Sequence, residues 1–369
     1  MSGLRELPAM DVTARATRVR EALPAAGVDA FVVTRLPNVR YLTGFTGSAG
    51  TVVLTPDALT LVTDGRYAEQ SRAQLAAAGV DARVVIGATV AEQHGALAGA
   101  AAGCSRVGLE ADGVTWALLR TLTEAFAGCE LVPTTDLVEA IRRVKEPAEV
   151  ARIRAACAMA DDALAELVPT LADGPTEREF ALALEVGMRR RGASGVSFDP
   201  IVAAGPNGAQ PHARPSERPI GRGELVVVDF GCVVDGYCSD MTRTVSVGDP
   251  GPEATHIWET VLASQQAGRA AVGPGVECAA VDGASRAVIE AAGFGDRFVH
   301  GPGHGVGLEI HEAPRVARTT TGTLAAGYVV TVEPGVYLPG VGGVRIEDTL
   351  VVTTDGAVAL TEFPKQLVV

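Results

Sequence analysis

No CxxC pair occurs among the six cysteines of this chain (Cys104, Cys129, Cys157, Cys232, Cys238 and Cys278), so a zinc ribbon or a disulfide framework has no basis. Scattered singly along 369 residues, these thiols read as small buried hydrophobes in a reducing setting. Positive charge is also short. The formal net charge is −13, which excludes the broad basic surface that sequence-independent nucleic-acid binding needs. Long apolar runs are missing: no stretch spans a bilayer, and residues 1–15 lack the apolar segment of a signal peptide. A cytoplasmic protein with neither nucleic-acid nor membrane partners is expected. Several catalytic signatures are absent as well. There is no GxxxxGK[ST] phosphate loop and no GxSxG elbow, and the glycines of 301–307 do not fit GxGxxG. His311-Glu312 is followed by Ala313, Pro314 and Arg315, so HExxH fails.

With 47% hydrophobic and 20% charged residues, the chain has an ordinary globular composition, and its length predicts two domains. Residues 1–135 read as a smaller α/β domain. A helix around Val12, Val19 and Leu23 precedes short strands at Ala30–Val33, Thr51–Leu54, 59–62, 84–86 and 107–109, with a further helix over 115–126. Gly44-Phe45-Thr46-Gly47-Ser48-Ala49-Gly50 is expected as a turn between strands. A linker is expected at 136–146. From residue 147 to 369 the pattern is α+β: two pairs of helices beside β-rich stretches. Val150, Ile153, Cys157, Ala160, Leu164 and Leu167 mark one long helix, with Pro147 fitting its first turn. Thr176-Glu177-Arg178-Glu179 is a capping box opening the next. Helices at 257–271 and 276–292 form the second pair.

The chemistry-bearing residues lie in this second part. Residues 225–229 form a strand ending in Asp229, 239–247 form a second strand containing Asp240, and Asp235-Gly236 between them is a hairpin-turn signal. That turn sets Val234 against Tyr237 and Asp229 against Thr242, so both acids face one side of the ribbon. Residues 329–333 and 344–352 repeat the arrangement, with Glu333 and Glu347 placed symmetrically about Gly340 and Arg345 on the side of Glu347. Alone, either pair fits a solvated sheet face as well as a metal site. Asp229, however, follows the apolar run Leu225-Val226-Val227-Val228, where an acid is costly unless paired or metal-bound. Carboxylates so placed can share two cations about 3.5–4 Å apart.

Of six histidines, His212, His300, His304 and His311 cluster suggestively, while His94 and His256 read as structural. The run from His300 to Gly307 is too rich in glycine and proline for helix, and its glycines admit close backbone approach. His304 adds a nitrogen donor to the four carboxylates. Such an oxygen-dominated set suits Mn²⁺, with Co²⁺ or Zn²⁺ as alternatives.

These segments resemble the aminopeptidase P and prolidase metallopeptidases, whose catalytic domain has the pita-bread fold. The matching stretches are Val227-Val228-Asp229-Phe230-Gly231, Ser239-Asp240-Met241-Thr242-Arg243-Thr244, His300 through His311, Thr331-Val332-Glu333-Pro334-Gly335 and Gly343-Val344-Arg345-Ile346-Glu347-Asp348-Thr349. Gly205-Pro206-Asn207 with Pro211-His212 matches too. Asn38 through Phe45 and Thr63-Asp64-Gly65-Arg66-Tyr67 resemble the creatinase-type N-terminal domain. The resemblance implies two divalent metals, with Asp229 on one, Asp240 and Glu347 bridging, and His304 and Glu333 on the other. His212, His300 and His311 then hold substrate and stabilise the tetrahedral intermediate, and Arg345 is a site arginine. Glu333 also moves the water proton. It further implies an Xaa-Pro dipeptidase or aminopeptidase, a peptide substrate with proline second, and a homodimer. Pro302 departs from the pattern, which has a more flexible residue there. A creatinase-like hydrolase and a non-catalytic peptide-binding homologue share the architecture, but the full ligand set sets this chain apart from both.

Overall fold

The structure is a computed structural model describing residues 7–369, so the first six residues of the expected N-terminal domain lie outside the described part. The chain forms two compact units, Ala9–Arg142 and Arg143–Val369, the latter joined by Leu7 and Pro8. Among the described residues, no helix is long and apolar enough to cross a membrane.

The first unit is built on a six-stranded sheet. Its strands are β1 (Ala30–Val33), β2 (Thr51–Leu54), β3 (Leu59–Thr63), β4 (Arg83–Ile86), β5 (Arg106–Glu110) and β6 (Glu130–Thr134), in the spatial order β4-β3-β2-β1-β5-β6. β1, β2 and β3 pair antiparallel, and the outer strands join parallel. The helices are α1 (Arg15–Ala22), α2 (Leu36–Thr43), α3 (Ala68–Ala77), α4 (Val90–Ala100), α5 (Trp116–Ala125) and α6 (Glu139–Arg142). Two sequence expectations differ from this. The 44–50 stretch connects helix α2 to β2 rather than strand to strand, because Pro37 starts a helix and Gly44 ends it in the left-handed region at φ 73°. The 136–146 stretch, expected as a linker, contains α6, and Arg142 there bonds Asn38 at 2.6 Å.

In the second unit, α7 (Pro147–Leu167) begins with proline in its first turn, and α8 (Glu177–Arg190) opens on the capping box. Thr176 Oγ1 accepts from Glu179 N–H at 3.1 Å, and Glu179 Oε2 accepts from Thr176 N–H at 2.8 Å. Strands β7 (Gly195–Val196), β8 (Ile201–Ala204), β9 (Leu225–Phe230), β10 (Cys232–Val234), β11 (Tyr237–Cys238) and β12 (Met241–Ser246) follow. Helices α9 (Gly251–Ala271) and α10 (Cys278–Ala291) come next. The remaining strands are β13 (Gly303–Gly305), β14 (Glu312–Val316), β15 (Val329–Val332), β16 (Gly335–Leu338), β17 (Gly342–Arg345), β18 (Asp348–Val352) and β19 (Ala357–Ala359).

Strand periodicity sorts these residues into a core side and a cleft side. Val226, Val228 and Phe230 of β9, with Met241 and Val245 of β12, pack against Ala160, Leu164, Phe180 and Leu184 of the first helix pair. Val330, Val332, Leu350 and Val352 pack against Cys278 and Val281, while Val336, Val344 and Ile346 pack against Ile257, Val261 and Ile289 of the second. Residues of the other parity (229, 333, 345, 347) therefore turn away from both helix pairs. Fully burying one such Leu, Val or Phe stabilises by about 1.5–3 kcal/mol, so this sorting is strongly enforced.

Candidate active site

Both predicted ribbons form, and each breaks beside acids, at Asp240 in the first and at Glu333 and Glu347 in the second, while Asp229 stays within its ladder. In the first, Val234 pairs with Tyr237 and Asp229 with Thr242, as the turn at Asp235-Gly236 requires. The ladder is interrupted between β9–β12 and β10–β11. Asp240 thus stands just before β12 rather than inside a strand, which corrects the expected 239–247 strand. The interruption comes from a close approach: a methyl group on Gly231 would sit 1.9 Å from Ser239 O. In the second ribbon β15 pairs with β18 and β16 with β17 in one continuous register. Glu333 and Glu347 face each other at the gap between the two ladders.

The ribbons are stitched together beside the acids. Thr244 Oγ1 donates to Arg345 O at 2.9 Å, and Glu347 N–H donates to Thr242 O at 3.1 Å. Thr349 Oγ1 donates to Asp240 O at 2.8 Å. From the third side the His300–Gly307 run closes in. A methyl on Gly303 would meet Thr331 O at 2.1 Å, so only glycine lets this strand lie so near. Pro302 fits because its carbonyl, which proline retains, accepts the Glu333 N–H at 2.7 Å.

One cavity of about 690 Å³ results, and Asp229, Asp240, His304, Glu333, Glu347, His212, His300, His311 and Arg345 all line it. Asp240, His304 and Glu347 each offer a ligand atom within 4.8 Å of the others. His304 Nε2 lies 3.4 Å from Asp240 Oδ2 and 3.5 Å from Glu333 Oε1. The ring's other nitrogen, Nδ1, is 3.0 Å from Gly305 O. A carbonyl can only accept, so Nδ1 carries a proton whatever the ring's charge, and Nε2 is the nitrogen turned toward the acids, free to ligate once its own proton leaves.

These side chains fit a cation. Asp229 Oδ1 and Glu347 Oε1 are buried without a hydrogen-bond partner, a costly state for a carboxylate oxygen that a cation relieves. Burial pushes the Asp240 carboxyl up to about 7, against the His304 ring that holds it down. Burial also raises Asp229 and Glu347, and neighbouring acids add to both. For His304 burial opposes the charged ring, but Asp240 and Glu333 outweigh it and lift the ring to about 9. Asp229, Asp240 and Glu347, buried so close together, hold their protons more tightly until positive charge arrives.

Two residues that the sequence reading passed over complete the site. Tyr337 is buried, and its hydroxyl lies 2.7 Å from Arg345 NH1 and 2.9 Å from His300 Nε2. Since His300 Nδ1 is 2.8 Å from Gly301 O, Nδ1 bears the proton and Nε2 accepts from Tyr337. Burial lowers the His300 pKa and keeps the ring neutral. Arg345 NH2 bonds Asp229 Oδ2, so a chain of contacts runs from Asp229 through Arg345 and Tyr337 to His300. Thr242 is the second: its hydroxyl donates to Glu347 Oε2 at 2.7 Å and accepts from Arg345 Nε at 3.2 Å. The hairpin logic about Gly340 would have found Tyr337, which pairs with Gly343 and has the parity of Arg345.

Two family models cover most of the chain. Metallopeptidase family M24 matches residues 151–354, and the Creatinase/Prolidase N-terminal domain matches 15–144. The chain belongs to the M24 metallopeptidases, with a creatinase-type N-terminal domain ahead of a pita-bread catalytic domain. A solved structure of an Xaa-Pro dipeptidase from Bacillus anthracis superposes with a TM-score of 0.92 at 37% identity, covering 96% of this chain and 99% of that one. An Xaa-Pro dipeptidase from Pyrococcus horikoshii is 34% identical over 95% of this chain and 97% of its own length. An X-Pro aminopeptidase from Thermotoga maritima superposes at TM-score 0.86 and 33% identity, over 95% of this chain and all of that one.

Proposed function

We propose that this chain is a metal-dependent peptidase hydrolysing the bond between an N-terminal residue and a following proline. The observation that carries this reading is the convergence of Asp229, Asp240, His304, Glu333 and Glu347 on one cavity, with two of their buried oxygens unpartnered. These five residues would hold a pair of divalent ions, Mn²⁺ by the chemistry of an oxygen-dominated donor set. When bound, the ions supply an acidified water and Lewis-acid polarisation of the scissile carbonyl.

The chain's own residues do the rest. Glu333 accepts the water proton and passes it to the departing proline nitrogen, a general-base then general-acid role. His300 has both ring nitrogens engaged, so it braces the wall through Tyr337 rather than donating freely. His311 reaches into the cavity with its ring packed edge-on to His304 at 4.4 Å between centroids, and partial desolvation, with His304 beside it, lowers its pKa. We assign it the N–H that meets the developing oxyanion. His212, also exposed on the cavity wall, positions the substrate backbone. Specificity for proline comes from the shape offered to the ring, because an imide nitrogen has no N–H to be read.

The test compares hydrolysis of Xaa-Pro, Xaa-Pro-Xaa and Xaa-Ala peptides by chelator-treated enzyme with and without added Mn²⁺. Cleavage confined to the proline substrates and dependent on metal is expected. Equal rates on Xaa-Ala, or full activity in excess chelator, would sink the reading.

A further inference from the structure

Behind the acids lies a second cluster of charges that the proposed chemistry does not use. Asp348 follows Glu347 directly but has the opposite parity, so its side chain points away from the cavity and is fully buried. Three cations meet this one carboxylate: Arg243 at 3.0 Å, Arg269 at 2.7 Å and Lys365 at 2.7 Å. Gln265 Nε2 and Thr361 Oγ1 donate to it as well, each at 3.0 Å. Two of these partners, Thr361 and Lys365, belong to the last segment of the chain. Arg243 ties the same segment down, its Nε and NH2 donating to Phe363 O at 3.0 and 2.7 Å. With NH1, Arg243 also donates to Thr242 O at 3.0 Å and to Glu347 O. Further along, Ser246 N–H donates to Leu367 O at 2.6 Å and Val369 N–H to Ser246 O at 3.0 Å, fixing the segment along β12. On the other side, Asp161 Oδ2 accepts the Glu362 N–H at 2.7 Å.

We infer that the C-terminal segment 361–369 is a strut that sets the position of the metal ligands, and that Lys365 is its positioning residue. The physical route is short. Lys365 and Thr361 fix Asp348; Asp348 and Arg243 fix the backbone of Glu347; Thr242, held by the same guanidinium, fixes the Glu347 carboxylate. Freeing one end lets Glu347 drift, and its fit to a shared cation is lost before the fold is. Groups that orient metal ligands in this way typically change metal affinity about 10–100-fold when removed.

This inference rests on the metal reading above, and direct Mn²⁺ binding separates the two. The apo-protein is titrated with Mn²⁺, and free ion is followed by electron paramagnetic resonance. Lys365→Met, close in shape but uncharged, is expected to raise the Mn²⁺ Kd about tenfold or more, with kcat near the wild-type value at saturating Mn²⁺. Lys365→Arg is expected to restore most of the affinity. A merely structural lysine would lower the melting temperature of the apo-protein and leave Kd alone; an unchanged Kd in folded Lys365→Met overturns the inference. Should that variant not fold, Asp161→Asn carries the same test, because it loosens only the Glu362 end: a raised Kd supports the strut and a wild-type Kd overturns it. If the unaltered protein binds no Mn²⁺, the metal reading falls, and the strut falls with it.

Discussion

At the scale of single residues the site is a balance of like charges. Asp240→Asn or Glu347→Gln removes an anionic oxygen from the cluster of Asp240, His304 and Glu347, and both variants are expected to lose Mn²⁺ binding and turnover together. Near-normal turnover in either one, measured after metal depletion and reconstitution, contradicts the ligand assignment. Tyr337→Phe keeps the ring and deletes the hydroxyl that joins Arg345 to His300. Leaving buried partners unmet costs about 1–3 kcal/mol of stability, and kcat is expected to fall about 10–100-fold. A Tyr337→Phe enzyme with unaltered kcat would show that the chain of contacts is idle. The pH dependence follows from Asp240 near 7 and His304 near 9 in the metal-free fold. Unfolded values are about 3.9 and 6.5, so the folded state holds more protons than the unfolded one from about pH 4 to 9. Rising pH therefore weakens the metal-free fold across that window. Metal binding must expel those protons, so Mn²⁺ affinity is expected to climb between pH 6 and 9. Calorimetric titrations at pH 6, 7.5 and 9 check this; a flat series contradicts it. Residues of this kind were legible in the sequence because acids in apolar strands have few explanations. Tyr337 lay within reach of the register about Gly340, but a tyrosine on a strand signals no function until its partners Arg345 and His300 are known.

Among the elements, the two ribbons carry the site, and each could be read from its turn. Asp235-Gly236 fixed one register and the symmetry about Gly340 fixed the other, down to the pairing of Asp229 with Thr242. What the sequence did not reveal is that both ladders lapse, at Asp240 and at Glu333 and Glu347. In the first ribbon the lapse sits where Gly231 lies against Ser239 O, a close approach that only glycine permits. Gly231→Ala is expected to destabilise the protein by about 1–3 kcal/mol through forced separation of the strands, and to weaken Mn²⁺ binding as Asp240 moves. Denaturant melts with parallel metal titrations test it; a variant as stable as the parent would show that the strands can part without cost. The helices divide by the same criterion. α7, with its apolar stripe and Pro147 in the first turn, and α8, with its stripe and capping box, were plain. α3 and α4 are rich in alanine with little apolar periodicity, and the Thr89 cap of α4, accepting from Glu92 N–H at 3.2 Å, is a weaker local signal than the stripes of α7 and α8.

For the whole molecule, the division into two units of different class was visible as a change from alternating helices and strands to paired helices beside β ribbons. The break between Arg142 and Arg143 falls within the stretch expected as a linker, although α6 on its near side belongs to the first unit. Since a cation binds the folded state and not the open chain, saturating Mn²⁺ at about 100 times its Kd is expected to add about 2.7 kcal/mol of stability. Thermal melts with chelator and with Mn²⁺ measure this, and equal melting temperatures would count against a resident metal. The neighbours Glu347 and Asp348 carry a further consequence. One faces the cavity and the next faces the helices, so inserting or deleting a single residue upstream in that ribbon would exchange their stations. The anchoring acid would be thrust among the cations of the substrate chamber, and the ligand buried against three basic side chains. Length variation in this hairpin is therefore tolerable only at its tip, around Pro339, Gly340 and Val341, where no register depends on it.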